Sequence, residues 1–134
     1  MASPESHIKN IRELLKDIEE KIRSDLIIER QKIIGYAASE ISCDLLALLL
    51  HRKNLISPGF NVNHRFFASE KSARERFDFN FPRKDELIPL LVSQDNYRTL
   101  LCYGRMKERK TIEDAISNML KIKKLVEKEL GESI

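Results

Sequence analysis

Apolar residues recur at helical spacing along most of the chain. After Pro4, Ile8, Ile11, Leu15, Ile18 and Ile22 repeat every three or four positions, a narrow seam flanked by charges. Ser3 before Pro4 reads as an N-cap with proline at the first helical position. A second pattern runs through Ile27, Ile34, Ala37, Ala38, Ile41, Leu45, Leu48 and Leu49. Its last turns are apolar on nearly every side, which predicts a helix at the centre of the fold. Within it, Gly35, Ala37, Ala38 and Ser39 gather small residues where another helix can come close. No breaker separates the two patterns, yet about 50 helical residues would reach about 75 Å. A compact chain of this length has a radius of gyration of only about 14 Å. The chain must therefore turn, and the turn is placed near Ser24 and Asp25, with Asp25 as the cap.

Asn54 to Gly59, with Ser57-Pro58-Gly59, ends the second helix, and the pattern changes. All six phenylalanines fall between Phe60 and Phe81: Phe60, Phe66, Phe67, Phe77, Phe79 and Phe81. A short helix from Ser69 to about Arg76 fits the middle of this stretch. Phe77 to Pro82 alternates like a strand but has no partner strand, so it reads as an ordered loop. A third long helix is predicted from Asp85 to Tyr103, starting late or kinking at Pro89. Leu87, Leu90, Leu91, Tyr97, Leu100 and Leu101 form its inner face, and Gly104 caps it. In the last helix Ile112, Ile116, Met119, Ile122, Val126 and Leu130 make the stripe, with Thr111 and Asp114 in capping positions and Gly131 at the end. The expected fold is all-α: a single domain, residues 1–134, built as an up-and-down four-helix bundle with the aromatic-rich connection between its second and third helices.

Composition agrees and narrows the class. Leu occurs 17 times and Ile 15 times against three Val and two Thr, a helix-forming bias. Hydrophobic residues make up 42% and charged residues 34%, the balance of a globular rather than a disordered chain. The longest uncharged apolar run is Leu45 to Leu50, far short of the roughly 20 residues that span a bilayer. Cys43 and Cys102 sit in apolar helical segments without metal-ligand spacing, so a reducing, cytoplasmic setting is expected, with no disulfide, no metal and no cofactor. The net charge of +3 is weak for a nucleic-acid binder.

Within Phe60 to Lys84 six cations face three acids. Phenylalanines among arginines suit RNA contact, by stacking and phosphate pairing. A long connection must also anchor itself, and six phenylalanines are too many to leave in water. A local aromatic core is the favoured outcome, ahead of an interface or an RNA surface.

Candidate chemistry gathers at the end of the third long helix, Asp95-Asn96-Tyr97-Arg98-Thr99-Leu100-Leu101-Cys102-Tyr103-Gly104-Arg105. Arg98 and Arg105, seven apart, fall about 20° apart around a continuous helix. Asp95, three before Arg98, can pair with it and fix one rotamer, and an oriented guanidinium receives phosphate or carboxylate. The commoner alternative is a surface ion pair beside a core tyrosine. Glu40 and Asp44 share a helix face with no evident cation between them; solvated carboxylates explain them more simply than a metal.

The layout of a long helical hairpin, a connecting region, a helix ending in an R-x-x-x-x-H signature and a last amphipathic helix resembles the HEPN family. The likeness is to its small stand-alone members encoded beside minimal nucleotidyltransferases, and it covers about Glu29 to Glu129. The resemblance implies a metal-independent ribonuclease site of arginine and histidine, completed across a homodimer. Arg98 matches the arginine, whereas Tyr103 stands where the histidine belongs, Thr99 where an asparagine is common, and Arg105 where related members carry tyrosine. RNA cleavage through the 2′-OH needs a proton acceptor near working pH; imidazole at about 6.5 serves, while an ordinary phenol near about 10 stays protonated. The expectation is therefore an HEPN-like interaction or binding protein, homodimeric and without strong catalysis, with Asp95, Arg98, Arg105 and His64 as ligand-binding candidates. Two alternatives stay open. One is a toxin-like RNA endonuclease using Arg98 and Tyr103, with His64 lent by the aromatic connection. The other is a partner subunit that presents a nucleotide or phosphorylated substrate to a separate minimal nucleotidyltransferase.

Overall fold

The computed structural model describes residues 3–134, and these form five α-helices, one 3-10 turn and no strand. In chain order they are α1 (Pro4–Arg23), α2 (Gln31–Arg52), the 3-10 turn (His64–Phe67), α3 (Glu70–Arg76), α4 (Lys84–Cys102) and α5 (Arg109–Leu130). The fold is all-α.

Each helix starts and stops for local reasons. The Ser3 hydroxyl accepts from the Ser6 amide, and Pro4 opens α1. α1 ends at Arg23, and Asp25 follows in the left-handed region (φ 53°). Asp25 thus closes the first turn rather than capping the second helix, which begins six residues later behind Arg30. Its carboxylate instead receives Arg109 at the start of α5. Ser69 and Ser72 cap α3 reciprocally, each hydroxyl taking the other's backbone N–H. α4 neither starts late nor waits for Pro89: it begins at Lys84, with the proline inside it. The missing Pro89 N–H falls opposite exposed Asp85, where water can satisfy the freed carbonyl. Thr111 and Asp114 do not cap α5, because the helix already starts at Arg109 behind Glu108; Asp114 pairs with Lys110 one turn away.

α2 is the centre. Ile34, Ala38, Ile41, Leu45, Leu46 and Leu48 are fully enclosed, with α1, α4 and α5 packed around them. By length and composition α2 is the one described helix that could cross a membrane, but 78% of its apolar window is buried within the fold, as a core helix must be. The helix ends pair in a regular order. His7 of α1 meets Asp44 late in α2, Gln31 at the start of α2 meets Leu101 at the end of α4, and Arg83 before α4 meets Glu129 late in α5.

The expected inner faces hold with two exceptions. Ile22 of α1 and Leu100 of α4 are about half exposed, while Ile88 and Gln94 enter the core in α4. The Gln94 amide donates to the Ala115 carbonyl and accepts from Asn118, so α4 and α5 share a closed polar link. The phenylalanines do form a core of their own. Phe77 is fully buried, and its ring lies 5.6–6.4 Å from those of Phe60, Phe66, Phe67, Phe79 and Phe81. Arg76 lies over Phe66 at 4.4 Å and Lys84 over Phe81 at 5.9 Å, so part of the basic charge of this stretch covers the rings.

Candidate functional site

Arg98 projects from α4 toward α2, and two residues of α2 hold it. Its Nη1 donates to Glu40 Oε2 at 3.0 Å and to Ser39 Oγ at 3.2 Å, while the guanidinium carbon stands 5.1 Å from the Tyr36 ring centre. The side chain is 15% exposed. This close crossing needs small residues on α2. A Cβ built on Gly35 would meet the Leu101 Cβ at 2.7 Å, so the small-residue cluster does admit α4. Both polar contacts leave from one nitrogen. The Nη2 and Nε edge of the fork has no partner among the described residues.

Asp95 does not serve Arg98. Its carboxylate accepts from His64 Nδ1 at 2.8 Å, which ties the 3-10 turn to α4 one helical turn before the arginine. The reason is reach: Glu40 approaches Arg98 across the interface, while His64, carried by the aromatic connection, takes the carboxylate first. His64 is therefore a paired, half-buried residue beside the site rather than a plain surface one.

Tyr103 and Arg105 lie elsewhere. α4 ends at Cys102, Tyr103 turns into extended backbone (φ −126°, ψ 147°) and Gly104 takes φ 84°. The shared stripe of Arg98 and Arg105 is thereby lost, since it required the helix to continue. Tyr103 is 70% exposed, and the Arg105 side chain is exposed. What orders this loop is buried Gln31: its Nε2 donates to the Leu101 and Arg105 carbonyls at 3.1 and 3.4 Å, and its Oε1 accepts from the Lys107 N–H at 2.7 Å.

Two neighbouring features complete the region. A groove of about 250 Å³ between α1 and α2 is lined by Asn10, Glu13, Leu14, Tyr36, Glu40 and Asp44. Behind it, burial first, and then the charges of Glu40 and Asp44, push the Cys43 thiol far up, so it is no nucleophile. Both cysteines are free, and no cluster of three metal-ligating side chains occurs among the described residues.

Sequence reasoning missed Ser39, Glu40 and Tyr36 as partners of Arg98, and His7 as the partner of Asp44. A signal was present: two carboxylates in the most apolar helix must be paired when buried. Their partners lie on other helices, out of reach of any local spacing rule. No family model matches the chain, and no curated protein or solved structure matches it.

Proposed function

We propose that this chain is an HEPN-like helical interaction protein, an up-and-down four-helix bundle of α1, α2, α4 and α5 that binds an anionic group at Arg98 without strong catalysis. The observation that carries this reading is the state of Arg98. Its guanidinium is fixed by Glu40, Ser39 and Tyr36 and keeps one edge unpaired, which suits a phosphate or carboxylate oxygen. The position where the family has its histidine is Tyr103, off the helix and exposed, so α4 offers no imidazole beside Arg98. The antiparallel order of the pairings between helix ends supports the bundle topology.

The same end of the molecule supports a homodimer. Met106 is 62% exposed on a loop that Gln31 holds in place, and with Gly104 and Ile33 it lines one groove. Rigidly presented apolar side chains around the motif suit a second copy of the chain. An RNA or nucleotide phosphate is the proposed anion, and a minimal nucleotidyltransferase the proposed partner that would act on it. A cytoplasmic setting fits the two free thiols.

A second reading rests on His64. Held by Asp95 one turn from Arg98, its imidazole has the oriented partner that a general base needs. In that reading the chain is an RNA endonuclease in which His64 replaces the missing histidine.

RNA cleavage by the purified chain separates the two, and light scattering tests the dimer. Light scattering of the purified chain should give twice 15.6 kDa. RNA should stay intact with or without chelator, and Arg98→Ala should weaken nucleotide binding. Metal-independent cleavage abolished by His64→Ala or Tyr103→Phe would replace the interaction reading with the endonuclease one.

A further inference from the structure

α1 is fastened to the molecule along one side. Among the described helices its backbone comes close only to α2. Ile11 and Ile18 bury themselves there, but the contact of the first turn is made by a histidine. His7 is 6% exposed, and its Nδ1 donates to Asp44 Oδ1 at 2.8 Å. Its ring stacks on that of His51, at the end of α2, with centres 5.3 Å apart and planes 23° from parallel. The Nε2 atoms of both rings are buried without a hydrogen-bond partner.

This arrangement suits neutral rings. With Nδ1–H given to Asp44, the Nε2 of His7 is a lone pair in a dry site, a modest cost. Protonation turns each Nε2 into a charged donor with no acceptor and sets two cations face to face. Asp44 compensates one charge but not both. Groups on the surrounding elements are already engaged: Arg98 and Asp95 of α4 with Glu40 and His64, Lys123 of α5 with Glu127, and Arg52 with Glu132 of the C-terminal tail. None of them is paired with either ring.

We propose that His7, His51 and Asp44 form an acid-sensitive latch that holds α1 on α2 while His51 is neutral and releases it when His51 is protonated. Release would open the groove that α1 shares with Tyr36 and Glu40, two of the residues that fix Arg98. Burial, and then the neighbouring His7, hold His51 below its ordinary value. A base depressed in the folded state contributes stability that is present above its unfolded value, about 6.5, and lost as pH falls below it. The latch therefore opens on acidification, not on alkalinisation.

Hydrogen exchange of the full chain, corrected for intrinsic rates, tests this between about pH 7.5 and about pH 5.5, on either side of the imidazole range. Protection of the Ile11 to Ile18 amides should fall by up to about tenfold, the limit for one imidazole over this range, while that of Met119 to Val126 holds. His51→Phe keeps a stacked ring without a titrating nitrogen and should make α1 protection flat across the range. His51→Gln serves in its place if the larger ring does not fold. Three results would overturn the latch: flat α1 protection in the unmodified protein, an equal loss in α5, or the same loss in the His51 variant. Ring titration by NMR adds a readout that needs no variant: a His51 midpoint at or above the ordinary value would also refute it.

Discussion

Gly35→Ala tests how closely α2 and α4 approach, because two known effects oppose each other and the structure decides the sign. Alanine in a helix interior is favoured over glycine by about 1 kcal/mol. At this position, however, the new methyl would stand 2.7 Å from the Leu101 Cβ and 3.4 Å from the Cys102 Sγ. Carbon atoms pack at about 3.5–4.0 Å, so the helices must part by about 1 Å. Leu101 Cβ is bonded to the backbone, and no change of rotamer moves it away. Overpacking of this kind costs about 1–3 kcal/mol, which leaves a net loss of up to about 2 kcal/mol. The separation also pulls on the Gln31 bond to the Leu101 carbonyl, 3.1 Å long, and so loosens the loop after α4. Denaturant titration followed by helical circular dichroism gives the value, and thermal melting should fall by about 4 °C per kcal/mol for a chain of this size. A variant stabilised by about 1 kcal/mol would show propensity acting alone and would refute the close crossing that positions Arg98.

Other perturbations read other parts of the fold. Phe77→Ala removes the ring on which five others converge and should cost about 3–5 kcal/mol in the same titration; a cost below 1 kcal/mol would mean that the aromatic connection is not a packed core. Gln31→Ala strands two carbonyls and an N–H that the amide now serves, and should cost about 2 kcal/mol. The same variant should raise proteolytic cutting between Tyr103 and Glu108, and unchanged cutting would show that the loop is ordered by something else.

Much of the fold was legible because it depends on neighbours along the chain. The Ser3 cap, the stop at Gly131, the short α3 and the burial of the last turns of α2 all follow from residues within one or two turns. The aromatic core was legible for a different reason: six phenylalanines in one connection have no low-energy alternative to burying one another. Misjudged boundaries share a cause as well. Asp25 and Thr111 have capping side chains, but the adjoining turns place Arg30 and Glu108 at the helix starts instead.

The amino-acid sequence by itself determined that this protein is helical, where most of its helices begin and end, though not the start of α2, and that Arg98 lies near the end of α4. Periodicity and capping are local, so one chain suffices to read them. Which charge meets which was decided only by the tertiary structure. Arg98 takes Glu40 rather than Asp95, Asp95 takes His64, and Asp44 takes His7, each across a helix interface. Those choices depend on how closely Gly35 lets α4 approach and where the aromatic core holds the 3-10 turn. Such distances are set by packing among residues far apart in the chain, and no spacing rule along it contains them.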